Sequence, residues 1–464
     1  MASTWPMLPR GFRTGSLTTS SDAELARATM RRVTMRLLPF LFALYVVNWM
    51  DRENLAIAKL QMAADLGLSA TAYGFGAGIF FWGYSLFEVP SNLILARVGA
   101  RRWIARIMIT WGLIATGLMF VRTPFQLYAL RFLLGMAEAG FFPGIIYYMS
   151  EWWPAEHRAR ATSRFMIAAP LAGAIGNPLG GFLLGFDGRH GLHGWQWLFL
   201  VEGIPAIVLG VAVLWFLTER IEDARWLNAD QRAWLAARMR RDHEESPALH
   251  GVPPLRALAH PMVWLLTLPY FLISLASYGY YFWGPTIVHD TLHATTFVTG
   301  LITGGIALLT AAVQLAFGFS SDRTGERCLH SAAGCAIAAF GYTCVVLLPS
   351  PTARVVALAV AFLGSKAFSI PFWCMPGMVF RGAAAAATLA AINAVGNIAG
   401  AIAPIMIGVF KDVTGSMAGA YVVLAAASLT AALCLVSLGR RSPFAESRIG
   451  MRNLASRDVP EASI

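Results

Sequence analysis

The sequence predicts an all-α polytopic membrane protein with about twelve transmembrane helices in two six-helix halves. Three observations carry this prediction. Of 464 residues, 57% are hydrophobic and 13% charged, against about 25% charged in a soluble domain, and mean hydropathy is +0.59. About twelve apolar runs reach the roughly 20 residues a helix needs to cross a bilayer. One polar segment, 218 to 260, divides these runs six and six.

In chain order, the first span (37 to 58) follows Arg27, Arg31, Arg32 and Arg36, and the second (73 to 96) ends at Arg97, Arg101 and Arg102. The third and fourth (103 to 121, 125 to 149) precede Arg158, Arg160 and Arg164; the fifth and sixth (164 to 186, 195 to 217) lead into the charged segment. The seventh and eighth (261 to 287, 297 to 319) precede Arg323 and Arg327, the ninth and tenth (328 to 349, 354 to 379) precede Arg381, and the last two (384 to 410, 417 to 438) precede Arg440 and Arg441. Connections on the other side carry one basic residue or almost none, namely Lys59, Arg122, Arg189 and Lys411. By the positive-inside rule both termini are cytoplasmic. Tails are expected at 1–33 and 440–464, and bundles at 34–217 and 261–439.

The net charge of +11 is therefore an orientation signal and not a nucleic-acid footprint. Residues 1–33 lack an apolar core followed by a small-residue cleavage site, so no cleavable signal peptide is expected. Cys328, Cys335, Cys344, Cys374 and Cys434 have no C-x-x-C spacing, and neither a disulfide framework nor a zinc site is expected. The phosphate-loop pattern G-x-x-x-x-G-K-[ST] and H-E-x-x-H are absent, which argues against an ATP-driven pump or a membrane enzyme. No cofactor or metal is expected. Within 218–260, Trp226, Leu227, Trp234 and Leu235 at helical spacing predict an amphipathic helix on the membrane surface, closed by Pro253 and Pro254.

Charges inside the first span need a reason, because each costs several kcal/mol at depth unless paired or hydrated. In VVNWMDRENLAIA (46 to 58), Tyr45, Asn48 and Arg52 form one polar stripe with Asp51 beside it. The stripe is expected to face a water-filled path. In the fourth span Arg131, Gly135 and Glu138 share a face, which sets Arg131 where it can pair with Asp51 or Glu138. A neutral carboxylate is cheaper than a charged one in a low dielectric. Proton coupling through Asp51 and Glu138 competes with a static ion pair as the reading.

A duplication is visible too: Arg97-Val98-Gly99-Ala100-Arg101 matches Arg323-Thr324-Gly325-Glu326-Arg327 at an offset of 323 − 97 = 226, about half the chain. GFSSDRTGER (318 to 327) resembles the loop signature G-x-x-x-D-R-x-G-x-R of the major facilitator superfamily, with Asp322, Arg323 and Arg327 in its charged positions. NLILARVGAR, the first-half copy, departs from it at Asn92 and Ala96, which puts in doubt the contact the aspartate makes in that half. MDREN (50 to 54), YSLFEVPSNLILARVGARRW (84 to 103), RFLLGMAEAGFFPG (131 to 144) and GWQWLFLVEG (194 to 203) together resemble the anion:cation symporter family. The resemblance implies a major facilitator fold, an inner-membrane transporter, and proton-coupled uptake of carboxylates such as phthalate, hydroxyphenylacetate, tartrate or sugar acids. It also assigns protonation to carboxylates placed like Asp51 and Glu138.

Arg52 is the expected substrate ligand, since its planar fork binds a carboxylate bidentately; the alternative is an outward-reaching topology anchor. Lys366, the charge found inside the C-terminal spans, is a second anion contact or a helix-helix tether. Asn393 and Asn397 share a face and can donate to substrate oxygens or bond between helices, and the resemblance favours Asn393 for the site. Tyr278, Tyr280, Tyr281 and Trp283 read either as an aromatic wall facing a ring-bearing acid or as part of the interfacial aromatic belt, which suits Trp283 better. Glu88 is expected to act as a gate or loop anchor, with Arg97 in the adjoining loop. The Gly-rich stretches 74–78 and 176–181 are expected to permit close helix packing. The expected partners are a small organic anion, favouring an aromatic acid, protons and the lipid bilayer, with a monomeric protein and no nucleic acid. An efflux or drug-proton antiporter is the rival reading, disfavoured by fixed positive charge in the spans.

Overall fold

A computed structural model describes residues 20–245, 259–380 and 382–440. Parts of both expected tails, Pro253 and Pro254 of the linker, Arg381 and Arg441 lie outside the described residues. Among the described residues every regular element is helical, and twelve helical stretches are long and apolar enough to cross a membrane. The N-terminal six comprise α1 (Ser20–Asp65), α2 (Ala70–Val98), α3 (Ala100–Gly117), α4 (Pro124–Glu138) continued by α5 (Phe141–Trp152), α6 (Ala155–Met166) continued by α7 (Ala168–Leu184), and α8 (Gly194–Phe216). After α9 (Ala229–Glu245) come α10 (Pro261–Leu292), α11 (Thr296–Thr324), α12 (Cys328–Leu347), α13 (Pro351–Ala367) continued by α14 (Ser369–Val379), α15 (Gly382–Thr414) and α16 (Ala418–Leu438). The first helix runs farther than its apolar stretch at both ends, so residues 20–33 are helical and Lys59 lies inside α1, not in a connection.

Local chemistry starts these helices. Ser69, Thr123, Thr295 and Ser350 accept from backbone N–H groups in the first turns of α2, α4, α11 and α13, and Pro124 and Pro351 stand where no N–H is needed. Three spans that the apolar pattern treats as continuous are interrupted: at Ala139 and Gly140 the backbone leaves the helical region, whereas at Ile167 and Phe368 it keeps helical dihedrals and only the hydrogen-bond ladder is disturbed. A proline follows each break by three residues (Pro143, Pro170, Pro371), removing one ladder hydrogen bond and crowding the preceding turn. Gly140 also has φ +86, a left-handed conformation that other residues adopt only with strain.

Two seams join the halves. In one, a Cβ on Gly74 would stand 2.3 Å from the Pro404 carbonyl oxygen, and one on Gly78 2.4 Å from that of Ala401, so α2 meets α15 backbone to backbone. In the other, α7 meets α11, with Gly300 equally close to the Asn177 carbonyl. Asp412 of α15 accepts from the N–H groups of Ala70 and Thr71 at 3.0 and 2.7 Å, capping a helix of the opposite half. Lys59 crosses between halves as well: its Nζ donates to Thr286 at 3.0 Å and sits 3.3 Å from the centroid of the Trp283 ring. Trp283 is thus fully buried, with its indole N–H on the Pro404 carbonyl, and does not belong to an interfacial belt. These seams lie at the end of the bundle away from the 97–103 and 323–327 loops, so the halves are sealed at that far end.

The amphipathic helix α9 corrects its sequence reading. Leu235 and Met239 are buried against protein, Arg32 donates to Gln231 at 3.0 Å, and Asp242 accepts from the Ala155 N–H at 2.8 Å. Its apolar face covers the loop end of the N-terminal half and does not rest on lipid. Arg238 adds an ion pair to Glu156 at 2.7 Å.

Candidate functional site

The middle of α1 supplies the charges, and the break between α4 and α5 receives them. Glu138 is the last residue of α4, where the carbonyl end of a helix disfavours an anion. It is buried, and its carboxylate accepts from Arg52 Nε and, at 2.6 Å, from Asn48 Nδ2. A buried pair of this kind persists only where hydrogen bonds complete it, and Asn48 does so. The Arg52 guanidinium also lies over the rings of Tyr84 (4.9 Å), Trp49 (5.4 Å) and Phe80 (5.4 Å).

Arg131 therefore does not take the partner expected of it. Its side chain is fully buried, donates to the Gly76 carbonyl at 3.3 Å and covers the Phe80 ring at 4.7 Å, and among the described residues it forms no ion pair. Asp51 takes a different face from Arg52, about 100° round the helix. Its carboxylate accepts from Trp111 Nε1 on α3 and from Asn54 Nδ2 at 2.9 Å. Glu202 of α8 is buried nearby with Oε2 lacking a hydrogen-bond partner. Trp111 is an addition that only the fold reveals, and Glu202, an acidic residue legible in the sixth span, is brought to Asp51 only by the fold, since both join it across 60 and more residues of chain.

A small cavity of about 10 Å³ lies between the halves, lined by Trp49, Arg52, Phe80 and Arg131 on one side and by Tyr278 and Tyr281 on the other. Tyr281 donates its hydroxyl to Glu53 of α1, and Tyr278 reaches Asn397 of α15 at 3.5 Å. Lys366, at the end of α13, lies 5.8 Å from the Tyr281 ring centroid and 5.3 Å from that of Phe362. A cation there complements the helix's carbonyl end.

The remaining sequence candidates fall into place around this core. Tyr45 is buried in an aromatic stack with Phe165 (4.4 Å) and Phe142 (5.6 Å), so its ring is committed to the N-terminal bundle and not to the open path. Asn393 is half-buried and makes no side-chain hydrogen bond among the described residues, whereas Asn397 does. Glu88 is half-buried toward the loop end, within electrostatic reach of Tyr84 and Arg52. Arg97 and Arg323 are exposed. Asp322 pairs with Arg327 at 2.6 Å, and Arg327 also donates to Ser321 at 3.0 Å. In the first-half loop, where Ala96 stands for the aspartate, Glu219 arrives from beyond α8 and accepts from the Arg101 N–H at 3.1 Å.

A broken-helix bundle of twelve spans with a charged cavity between two pseudo-repeated halves is a transporter architecture. The Major Facilitator Superfamily model matches residues 41–404. The chain belongs to this superfamily. A protein of Agrobacterium vitis named as a tartrate transporter is 43% identical, over 91% of this chain and 97% of its own. A quinolone resistance transporter of Acinetobacter baumannii is 40% identical over 85% and 91%. Relatives of this kind make the chain a major facilitator transporter of the anion:cation symporter type, and not an enzyme. Among solved structures, a bacterial homolog of the human lysosomal transporter Spinster, inward-facing and unoccupied, superposes with a TM-score of 0.70 at 16% identity, covering 91% of this chain and 98% of that one. The transporter shares its fold with that protein.

Proposed function

We propose that the transporter carries an organic carboxylate together with protons, inward across the cytoplasmic membrane, and takes an aromatic acid ahead of tartrate. The single observation that carries this is the Arg52–Glu138 pair on the wall of the inter-half cavity. While Glu138 is ionised it holds the guanidinium through Nε. Once Glu138 takes a proton, Arg52 is free to grip a cargo carboxylate bidentately. Proton loading and anion binding then favour each other, which is what symport requires. The tartrate transporter relative supports a carboxylate cargo. The aromatic lining of Trp49, Phe80, Tyr278 and Tyr281 supports a ring on it.

In this reading both termini and α9 are cytoplasmic, the bundles span 34–217 and 261–439, and the far-end seams are the periplasmic gate, closed while the cavity opens inward. The protein works as a monomer. Asp51 serves as a second proton carrier, and the loop residues Arg97, Asp322, Arg323 and Arg327 steady the cytoplasmic ends of the helices during rocking.

Proteoliposomes acidified outside test the proposal with labelled phthalate and tartrate. The wild type is expected to accumulate phthalate against its gradient. Glu138→Gln is expected to exchange the acid and to concentrate none, because its amide cannot cycle a proton. Accumulation by Glu138→Gln equal to wild type refutes the proton role. A second reading, efflux of an amphiphilic acid, is favoured by the quinolone resistance relative. Counterflow from loaded vesicles of defined orientation separates it from uptake.

A further inference from the structure

Glu53 has no part in the Arg52–Glu138 pair, yet its position is built. It belongs to α1 of the N-terminal half, and its Oε1 accepts the hydroxyl of Tyr281 on α10 of the C-terminal half. Its Oε2 lies where a Cβ on Gly173 of α7 would stand 2.7 Å away, so the missing side chain there leaves room for the carboxylate. Lys366 is within electrostatic reach of Glu53. No carboxylate oxygen among the described residues stands within 4.0 Å of its Nζ. Arg52 is already neutralised by Glu138. The C-terminal side thus offers the Tyr281 hydroxyl on the cavity wall and the Lys366 ammonium 5.8 Å from the Tyr281 ring, with a carboxylate from the opposite half resting on that hydroxyl.

We propose that Glu53 is a tethered anion: in the empty transporter it holds the place on Tyr281 and Lys366 that the carboxylate of the cargo takes on binding. This rests on the carboxylate reading given above. Tyr281 has one hydroxyl proton to donate, so Glu53 and cargo compete for it. One ammonium balances one of them at a time. The exchange also cuts a hydrogen bond that ties the halves together, so occupancy and rocking share one contact. Selectivity follows as well: a neutral cargo cannot displace Glu53, since it brings no charge to leave beside Lys366.

Calorimetric titration of the purified full-length transporter with phthalate and with tartrate tests this, alongside uptake in proteoliposomes. Glu53→Gln keeps a carbonyl to accept from Tyr281 and removes only the charge. It is expected to tighten the dissociation constant for the acid that the wild type binds by about fivefold or more, the low end of a coupling energy, and to slow turnover because nothing expels the bound anion. Glu53→Asp, whose shorter arm draws the charge away from Tyr281, is expected to move affinity the same way by less, and serves if the Gln variant does not fold. In a Lys366→Met background the Glu53→Gln change is expected to do nothing to affinity. Equal or weaker binding by the Gln and Asp variants, or the same tightening without Lys366, overturns the proposal while leaving the carboxylate reading standing. Binding of neither acid by the wild type overturns both.

Discussion

The two halves share a fold and divide the chemistry unequally. In the N-terminal half two buried carboxylates are answered inside the half: Glu138 is held by Arg52 and Asn48, and Asp51 by Asn54 and Trp111. In the C-terminal half the middle of the bundle offers Lys366, beside the rings of Tyr281 and Phe362, and the Tyr281 hydroxyl, which crosses the cavity to Glu53, while Tyr278 reaches Asn397 within its own half. The break in the fourth span follows Glu138 and the break in the tenth follows Lys366, at nearly equivalent places (366 − 138 = 228 against the loop offset of 226). Opposite charges at equivalent half-helix ends suit opposite tasks. The carbonyl end of α4 disfavours an anion, so Glu138 depends on Arg52 and Asn48, whereas the carbonyl end of α13 favours the cation of Lys366.

The largest expected effect breaks this division directly. Arg52→Ala leaves Glu138 buried without its cation, at a cost of about 3–5 kcal/mol while the carboxylate is charged. It is expected to abolish uptake and lower the melting temperature. Arg52→Lys keeps the charge and loses the fork, and uptake is expected to fall ~10- to 100-fold, the worth of a charge-assisted hydrogen bond. Lys366→Met removes a cation that has no ion pair among the described residues. Its expected signature is an unchanged melting temperature with a KM raised about tenfold. A Lys366→Met protein that melts as low as Arg52→Ala would show that Lys366 is a structural tether, and the contrast between the halves would fail.

How much of this is legible in the sequence depends on how far apart the interacting residues stand. Twelve spans, their division in two and the family follow from apolar run length and local motifs, which are short-range signals. The breaks at Gly140, Ile167 and Phe368 were signalled by Pro143, Pro170 and Pro371, but Pro90, Pro178, Pro205 and Pro404 sit inside continuous helices, so proline alone does not mark a break. Helical spacing could set Arg131 and Glu138 on one face. It could not say that Arg131 turns to the Gly76 carbonyl while Arg52, 86 residues away from Glu138, takes the carboxylate. Glu53 with Tyr281 and Lys59 with Trp283 cross between halves, and no local pattern encodes contacts over 228 and 283 − 59 = 224 residues.

A smaller effect sharpens the comparison at the seam, where the halves are meant to separate. Gly78→Leu places a side chain against the Ala401 carbonyl, at a site where a Cβ alone would approach to 2.4 Å. Each half keeps its own core, so the variant is expected to fold and to lose the sealed far end. The measurements are uptake, expected to drop at least tenfold, on the order of a 1.4 kcal/mol bias, and maleimide labelling at a Ser69→Cys reporter, expected to rise. Gly305→Leu on α11 is the control, because a Cβ there meets nothing within 4 Å. Equal labelling in the two glycine variants would mean that the seam does not gate the path.

The smallest effect concerns the paired loops, where the same contrast between self-contained and borrowed contacts recurs with the halves exchanged. Before α12, Glu326 lies within the loop itself and its carboxylate accepts from the Leu329 N–H at 2.7 Å and the His330 N–H at 3.0 Å. Position 100, its counterpart at an offset of 226, is alanine, and Glu219 from the far side of α8 accepts from the Arg101 N–H in its place. Gly99 is bound to this arrangement, because at φ +97 a Cβ would stand 2.5 Å from the Glu219 carboxylate. Glu219→Ala and Glu326→Ala each remove a helix-start acceptor and are expected to cost about 1 kcal/mol. Asp322→Ala, which strips an exposed ion pair, should cost a few tenths. Only Glu219→Ala also unties the exit of α8 from the start of α3, so hydrogen exchange is expected to quicken around 218–224 in that variant and to stay local to 326–330 in the other. Matching exchange patterns would show that the borrowed carboxylate is equivalent to the local one, and that Glu219 holds no connection between the two helices.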